Sequence, residues 1–150
     1  MPRPRVFLDS NVLFSGIHSS AGAPATILEQ FIEGRLAVVI SQQVLEEVIR
    51  TIKGKLPEAL PVLKELLLST SPEIRPSPTP EEVERWRGLL DAGDAAILAA
   101  AVTAQPDCLV TGDKHFVKNP EIAEKAGLRI VTPAQFIEAW AREQSHDQVG

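Results

Sequence analysis

Short runs of apolar, β-branched residues recur along this chain with longer helical patterns between them, and this alternation restricts the fold more than any other feature. Residues 5–8, 36–40 (Leu-Ala-Val-Val-Ile), 108–111 and 129–131 read as buried strands, with one more short strand near Ile74. Residues 24–34 read as a helix with Pro24 in its first turn and Gly34 at its end. Ser41 is placed to cap a helix through about Lys53, with Leu45, Val48, Ile49 and Ile52 as its core face. Further helices are expected over 57–69, 80–90, 94–104 and from Pro133 to about Glu143. The 94–104 segment is apolar almost all round, as a crossover helix packed inside a domain must be. Residues 72–80 hold four prolines in nine positions and read as a stiff surface connection. Strands separated by crossover helices define an α/β fold with a parallel sheet. The 150 residues suffice for one such domain and leave no room for a second. Its expected extent is 1–143, with 144–150 as a frayed tail.

Several function classes fall away on composition. Cys108 is the only cysteine, so neither an intrachain disulfide nor a thiolate zinc cluster can form within the chain. The N-terminal Met-Pro-Arg-Pro-Arg lacks the apolar stretch of a signal peptide, and no window approaches the length of a membrane span. A reducing cytoplasm is the expected setting. A net charge of -5 argues against broad electrostatic adhesion to nucleic acid or anionic membrane. Any nucleic-acid contact must therefore be local.

Against this frame, four acids fall where a strand ends or a helix begins. Asp9 closes the first strand in Val-Phe-Leu-Asp-Ser-Asn; Glu47 lies in Ser-Gln-Gln-Val-Leu-Glu-Glu-Val; Asp94 lies in Asp-Ala-Gly-Asp-Ala-Ala-Ile-Leu; Asp113 lies in Leu-Val-Thr-Gly-Asp-Lys-His-Phe. In an open parallel sheet, ligands bind beyond the carboxyl ends of the strands, where strand order reverses. If the first strand neighbours the one ending at Thr111, Asp9 and Asp113 open into one crevice, and Glu47 and Asp94 enter it from helices starting on the same edge. Four carboxylates so close raise one another's pKa unless a divalent cation holds them ionised, and hard cations such as Mg2+ take oxygen ligands. Removing the four from the count leaves a net charge of about -1, so the acidity does not exclude phosphate as a ligand.

Taken singly, each acid has a plainer meaning. Asp9-Ser10-Asn11 and Thr-Gly-Asp113 are also turn sequences, and Asp94 alone reads better as a helix cap. Glu46 and Glu47 lie equally far from the apolar face of their helix, so geometry does not choose between them. The joint occurrence and order carry the case. Lys114, His115 and Lys118 are candidates for contact with a phosphate backbone, with Arg50, Lys53 and Lys55 as a second basic patch. His18, in an expected loop after Gly16, and His146, in the tail, have no companions at ligand spacing. Trp86 and Trp140 fall at helical apolar positions and read as core or interface.

These segments, spanning roughly 5–137, resemble the PIN-domain family, and within it the VapC-like ribonucleases that serve as toxins of toxin–antitoxin systems. Val-Phe-Leu-Asp-Ser-Asn-Val-Leu resembles the family's opening strand, with Asp9 as metal ligand and Asn11 as its polar companion. The family pattern of an acid immediately before an apolar residue selects Glu47 over Glu46, and Asp91-Ala-Gly-Asp94 resembles the helix start that bears the third acid, with Asp94 preferred. Leu-Val-Thr-Gly-Asp-Lys-His-Phe places Thr111 and Asp113 in the closing motif. The resemblance implies a three-layer α/β/α fold on a central parallel sheet of about five strands. It further implies a Mg2+- or Mn2+-dependent ribonuclease, metal ligands Asp9, Glu47, Asp94 and Asp113 supported by Asn11 and Thr111, an RNA substrate, an antitoxin partner and a homodimer. Two rivals stand beside it: a PIN-like interaction module without activity, and a haloacid-dehalogenase-type phosphatase. The phosphatase needs a second Asp two residues after the first, where this chain has Asn11.

Overall fold

The computed structural model describes residues 3–149, and of 146–149 only the course of the backbone. Five strands form one parallel sheet: β1 (Arg5–Leu8), β2 (Ala37–Ser41), β3 (Glu73–Arg75), β4 (Cys108–Val110) and β5 (Ile130–Val131), in the spatial order β3-β2-β1-β4-β5. Helices cover both faces, giving the three-layer α/β/α arrangement. Strands β1, β2 and β4 are buried along nearly their whole length, which is why they read as unbroken apolar runs rather than as an alternation. Phe7, Leu8, Ile40 and Leu109 are essentially inaccessible to solvent and centre the core.

Chain connections follow local chemistry. From β1 the chain enters α1 (Ser10–His18) and α2 (Ala23–Ile32). A Cβ at Gly16 would lie 2.6 Å from Leu28 Cδ1 and 2.9 Å from the Pro24 carbonyl oxygen, so glycine sets the close approach of these two helices. Ser41 ends β2 and caps α3 (Gln42–Lys55), its Oγ accepting from the Val44 N–H at 3.2 Å. Val44, Val48 and Ile52 form the buried stripe of α3, with Leu45 and Ile49 half-buried beside it. A 3-10 turn (Pro57–Ala59) leads into α4 (Leu60–Thr70), and β3 follows inside the proline-rich connection as an edge strand. After β3 come α5 (Pro80–Glu84) and α6 (Ala92–Ala104). Beyond β4 the chain forms α7 (Lys114–Val117) and α8 (Pro120–Ala126), and α9 (Pro133–Val149) follows β5.

Several expectations change. The loop expected to hold His18 is the last turn of α1, where the imidazole stacks on Phe14 with ring centroids 5.5 Å apart. The 80–90 helix stops at Glu84, because the following backbone tightens into turns in which the Trp86 N–H reaches the Val83 carbonyl and the Leu89 N–H the Trp86 carbonyl. Those turns bury Trp86 and Leu90. Helix α6 starts at Ala92 because Asp91 takes the cap, its Oδ1 accepting from the Asp94 N–H at 2.9 Å. The final helix, expected to close near Glu143, continues to Val149; the His146 side chain and Gly150 lie outside the described residues. Among the described residues no helix is long and apolar enough to cross a membrane.

Candidate active site at the carboxyl ends of the strands

Strand order reverses at β1, which pairs with β2 on one side and β4 on the other. The crevice beyond the ends of β1 and β4 is where such a sheet receives a ligand. Registered pairing of Leu8 with Val110 puts Asp9 and Thr111 side by side as the two strands end. Asp9 is only 5% exposed, and both its carboxylate oxygens are held: Oδ1 accepts from the Ser10 N–H at 2.7 Å and Oδ2 from the Thr111 hydroxyl at 2.7 Å. Thr111 is fully buried, and its Oγ1 also accepts from the Asp113 N–H at 3.0 Å. One hydroxyl thus positions Asp9 and the turn that carries Asp113. The Asn11 side chain accepts from the Gly112 N–H at 3.1 Å, tying α1 to the same turn.

The remaining acids arrive from helices. Glu47 of α3 accepts from the Ser10 hydroxyl at 2.8 Å through one oxygen and from Gln43 Nε2 at 3.0 Å through the other. Gln43 also donates to the Gly93 carbonyl at 3.4 Å, linking α3 to the start of α6. Glu46 is exposed and meets only Gln42, at 3.5 Å, so it is Glu47 that faces the crevice. Asp94 sits in the first turn of α6, its Oδ2 2.8 Å from His115 Nδ1. Asp113 caps α7, accepting from the His115 N–H at 2.8 Å, and its Oδ1 lies 3.4 Å from the His115 ring.

These acids sense one another. Burial pushes the Asp9 carboxyl above its ordinary value; the Thr111 and Ser10 hydrogen bonds pull it back, and the charges of Glu47 and Asp113 raise it again. Asp94 is raised by desolvation, lowered by His115, and raised by Asp113 and Asp91. His115 is held above its ordinary value, first by the hydrogen bond to Asp94 and then by the charges of Asp113 and Asp94. Among the described residues no lysine or arginine forms an ion pair with any of the four acids. An all-carboxylate donor set without a cationic partner other than one imidazole fits a hard divalent ion. The tightest grouping of ligand atoms differs from the expected four: among the described residues, Asp91, Asp94 and His115 present atoms all within 4.8 Å of one another.

The basic candidates divide. Lys114 and Lys118 are exposed on α7 and just after it, near Asp113, whereas His115 turns toward Asp94. Arg50, Lys53 and Lys55 occupy the last turns of α3; Lys55 lies about 12 Å along the helix from Glu47 at ~1.5 Å per residue. Sequence reasoning passed over Ser10 and Gln43. Gln43 stands four residues before Glu47, a spacing at which helical side chains meet, and that was the available signal. Ser10 had none, since its partner is 37 residues away.

A parallel three-layer sheet with a carboxylate crevice at its switch point defines the class. The chain belongs to the PIN-domain family, whose model matches residues 5–115. Solved structures of the same fold include VapBC2 from Rickettsia felis bound to a DNA fragment from its promoter, with TM-score 0.65 and 18% identity over 85% of this chain and 98% of that one. FitAcB from Neisseria gonorrhoeae has TM-score 0.61 and 19% identity over 85% and 97%. PAE2754 from Pyrobaculum aerophilum has TM-score 0.64 and 18% identity over 92% and 90%. No curated protein matches the chain.

Proposed function

We propose that the chain is a Mg2+- or Mn2+-dependent ribonuclease whose ligands are Asp9, Glu47, Asp94 and Asp113. The observation that carries this reading is the convergence of four carboxylates from the end of β1, α3, α6 and the turn after β4 on one crevice, with no lysine or arginine among the described residues paired to them. Bound there, a divalent ion would polarise the scissile phosphodiester and acidify the attacking water. The protein's own groups do the positioning. Thr111 and Ser10 fix Asp9, Ser10 and Gln43 fix Glu47, and Asn11 holds the turn between β4 and Asp113. Glu47 takes a proton from the water or orients it. Lys114, His115 and Lys118 hold the phosphate backbone beside the cleft, His115 from its place against Asp94.

The presence of VapBC2, bound to promoter DNA, and FitAcB among the similar folds favours a toxin held in check by an antitoxin; a cytoplasmic setting and a homodimer belong to the same proposal and rest on the family resemblance. The phosphatase alternative has no second Asp to donate a proton: Asn11 stands there and braces Gly112. A direct comparison tests the reading. Single-stranded RNA and a generic phosphomonoester are incubated with and without Mn2+, using the wild type and Asp94→Asn. RNA cut only by the wild type with metal is the expected result. Intact RNA with a hydrolysed monoester would refute the ribonuclease, and no reaction on either would favour an interaction module.

A further inference from the structure

We propose that a second pocket, at the end of the sheet opposite the carboxylates, binds a nucleotide, with its phosphate on Arg3 and Arg129 and its base against Trp140. The pocket encloses ≈ 550 Å³ where β1 and β4 begin, around Arg5 and Cys108, whereas Asp9 and Thr111 follow the ends of those strands. That volume falls within the ~300–1,000 Å³ typical of sites for compact organic ligands. Three arginines, Arg3, Arg5 and Arg129, line this pocket together with two carboxylates, Asp107 and Glu143, so what it offers an anion is guanidinium donors rather than an excess of positive charge.

The three arginines are not equivalent. Arg5 is committed to structure: its guanidinium donates to the two Glu73 oxygens at 3.0 and 2.7 Å and to the carbonyls of Ala104 and Gln105 at 2.5 and 3.2 Å. Arg3 and Arg129 are exposed and form no ion pair among the described residues. Planar guanidinium forks match phosphate oxygens in pairs. Trp140 is half-buried and stacks on Phe136, ring centroids 6.3 Å apart and planes 19° apart, so its orientation is fixed while it lines the cavity. A fixed indole is a platform for any base. Asp107 also lines the pocket, where it accepts from the Arg5 N–H at 2.7 Å. Asp107 and Glu143 oppose any anion beside them, so binding needs the base contacts as well as the phosphate, and their carboxylates offer acceptors to a base amino group. The ligand chemistry is shared by two sources, a free mononucleotide and a nucleotide within an RNA strand, and only the second rests on the ribonuclease reading.

Fluorescence separates them. The chain has two tryptophans, so Trp86→Phe leaves Trp140 as the sole reporter. With EDTA present, so that metal-dependent cleavage plays no part, the protein is titrated with adenosine monophosphate and, separately, with a short single-stranded RNA. The expected result is saturable quenching in at least one arm, weakened about tenfold or more by the pair Arg3→Ala and Arg129→Ala. Inorganic phosphate should compete poorly. Quenching by RNA alone assigns the pocket to a polynucleotide, and quenching by the mononucleotide assigns it to a free ligand. Because both arginines are exposed, the variants keep the fold, which an unchanged melting temperature checks; Arg129→Lys, which keeps charge but loses the fork, should give an intermediate loss. No saturable response in either arm, an undiminished response in the double variant, or equal competition by phosphate would overturn the proposal.

Discussion

At the scale of single residues, Thr111 has the most concentrated role. Its one hydroxyl donates to Asp9 and accepts from the Asp113 backbone, so its loss disturbs two of the four acids at once. Thr111→Val keeps the shape, and groups that orient metal ligands typically affect metal affinity or activity by ~10–100-fold. We expect a drop of that order in Mn2+ affinity, measured by calorimetry, with little change in fold; an affinity equal to wild type would remove Thr111 from the site. Asp9 gives a second prediction. Its carboxyl is disfavoured as an anion by burial and by the charges of Glu47 and Asp113. Asp9→Asn keeps a good helix cap and an acceptor while removing that charge, so in chelator the variant should be more stable than wild type to denaturant. A less stable variant would mean that the negative charge itself holds the fold. Asp9, Asp94 and Asp113 were legible from their positions at strand and helix ends, whereas Glu47, inside α3, was not. Ser10 was not, because its tie to Glu47 exists only once α1 and α3 pack.

At the scale of elements, packing decides what local pattern cannot. The approach of α1 to α2 admits no side chain at Gly16. Gly16→Ala forces Leu28 and the Pro24 carbonyl apart, and overpacking of this kind costs about 1–3 kcal/mol, read as a shift in denaturation midpoint. The bidentate pairing of Arg5 with Glu73 spans β2 to join β1 to the edge strand β3. Arg5 holds the Glu73 carboxyl below its ordinary value of 4.5, so this pairing contributes stability above that pH and loses it as pH falls through the lowered value. Glu73→Gln should flatten that part of the acid limb of a stability–pH curve; an unchanged limb would show the pair to be idle. Strands β1, β2 and β4 were legible because burial on both faces leaves unbroken apolar runs. The stop of α5 at Glu84 was not, since it is set by where Trp86 and Leu90 find the core, and α7 and α8 are too short to show a periodic face.

At the scale of the whole molecule, the fold is a scaffold that gathers negative charge at one end of a parallel sheet and arginines at the other. One divalent ion held by the four acids would take the net charge from -5 to about -3 and would offset the negative charge at the crevice itself, where a polyanion must approach. A parallel sheet with crossover helices followed from the order of strands and helices; the three layers were expected from the resemblance, and the switch point at β1 is fixed by the strand pairing, which local pattern does not carry. The choice of Glu47 over Glu46 rested on resemblance until α3 was seen to turn Glu47 toward Ser10. The most direct measurement is the melting temperature of the wild type against Mn2+ concentration, beside Asp9→Asn and Asp94→Asn. An ion binding only the folded state at ~100 times its dissociation constant adds ~2.7 kcal/mol, which for a domain of this size is roughly 5–10 °C. The expected result is a rise of that order in the wild type and a much smaller one in both variants. A wild-type melting temperature indifferent to millimolar Mn2+ would contradict the metal centre on which the proposed function rests.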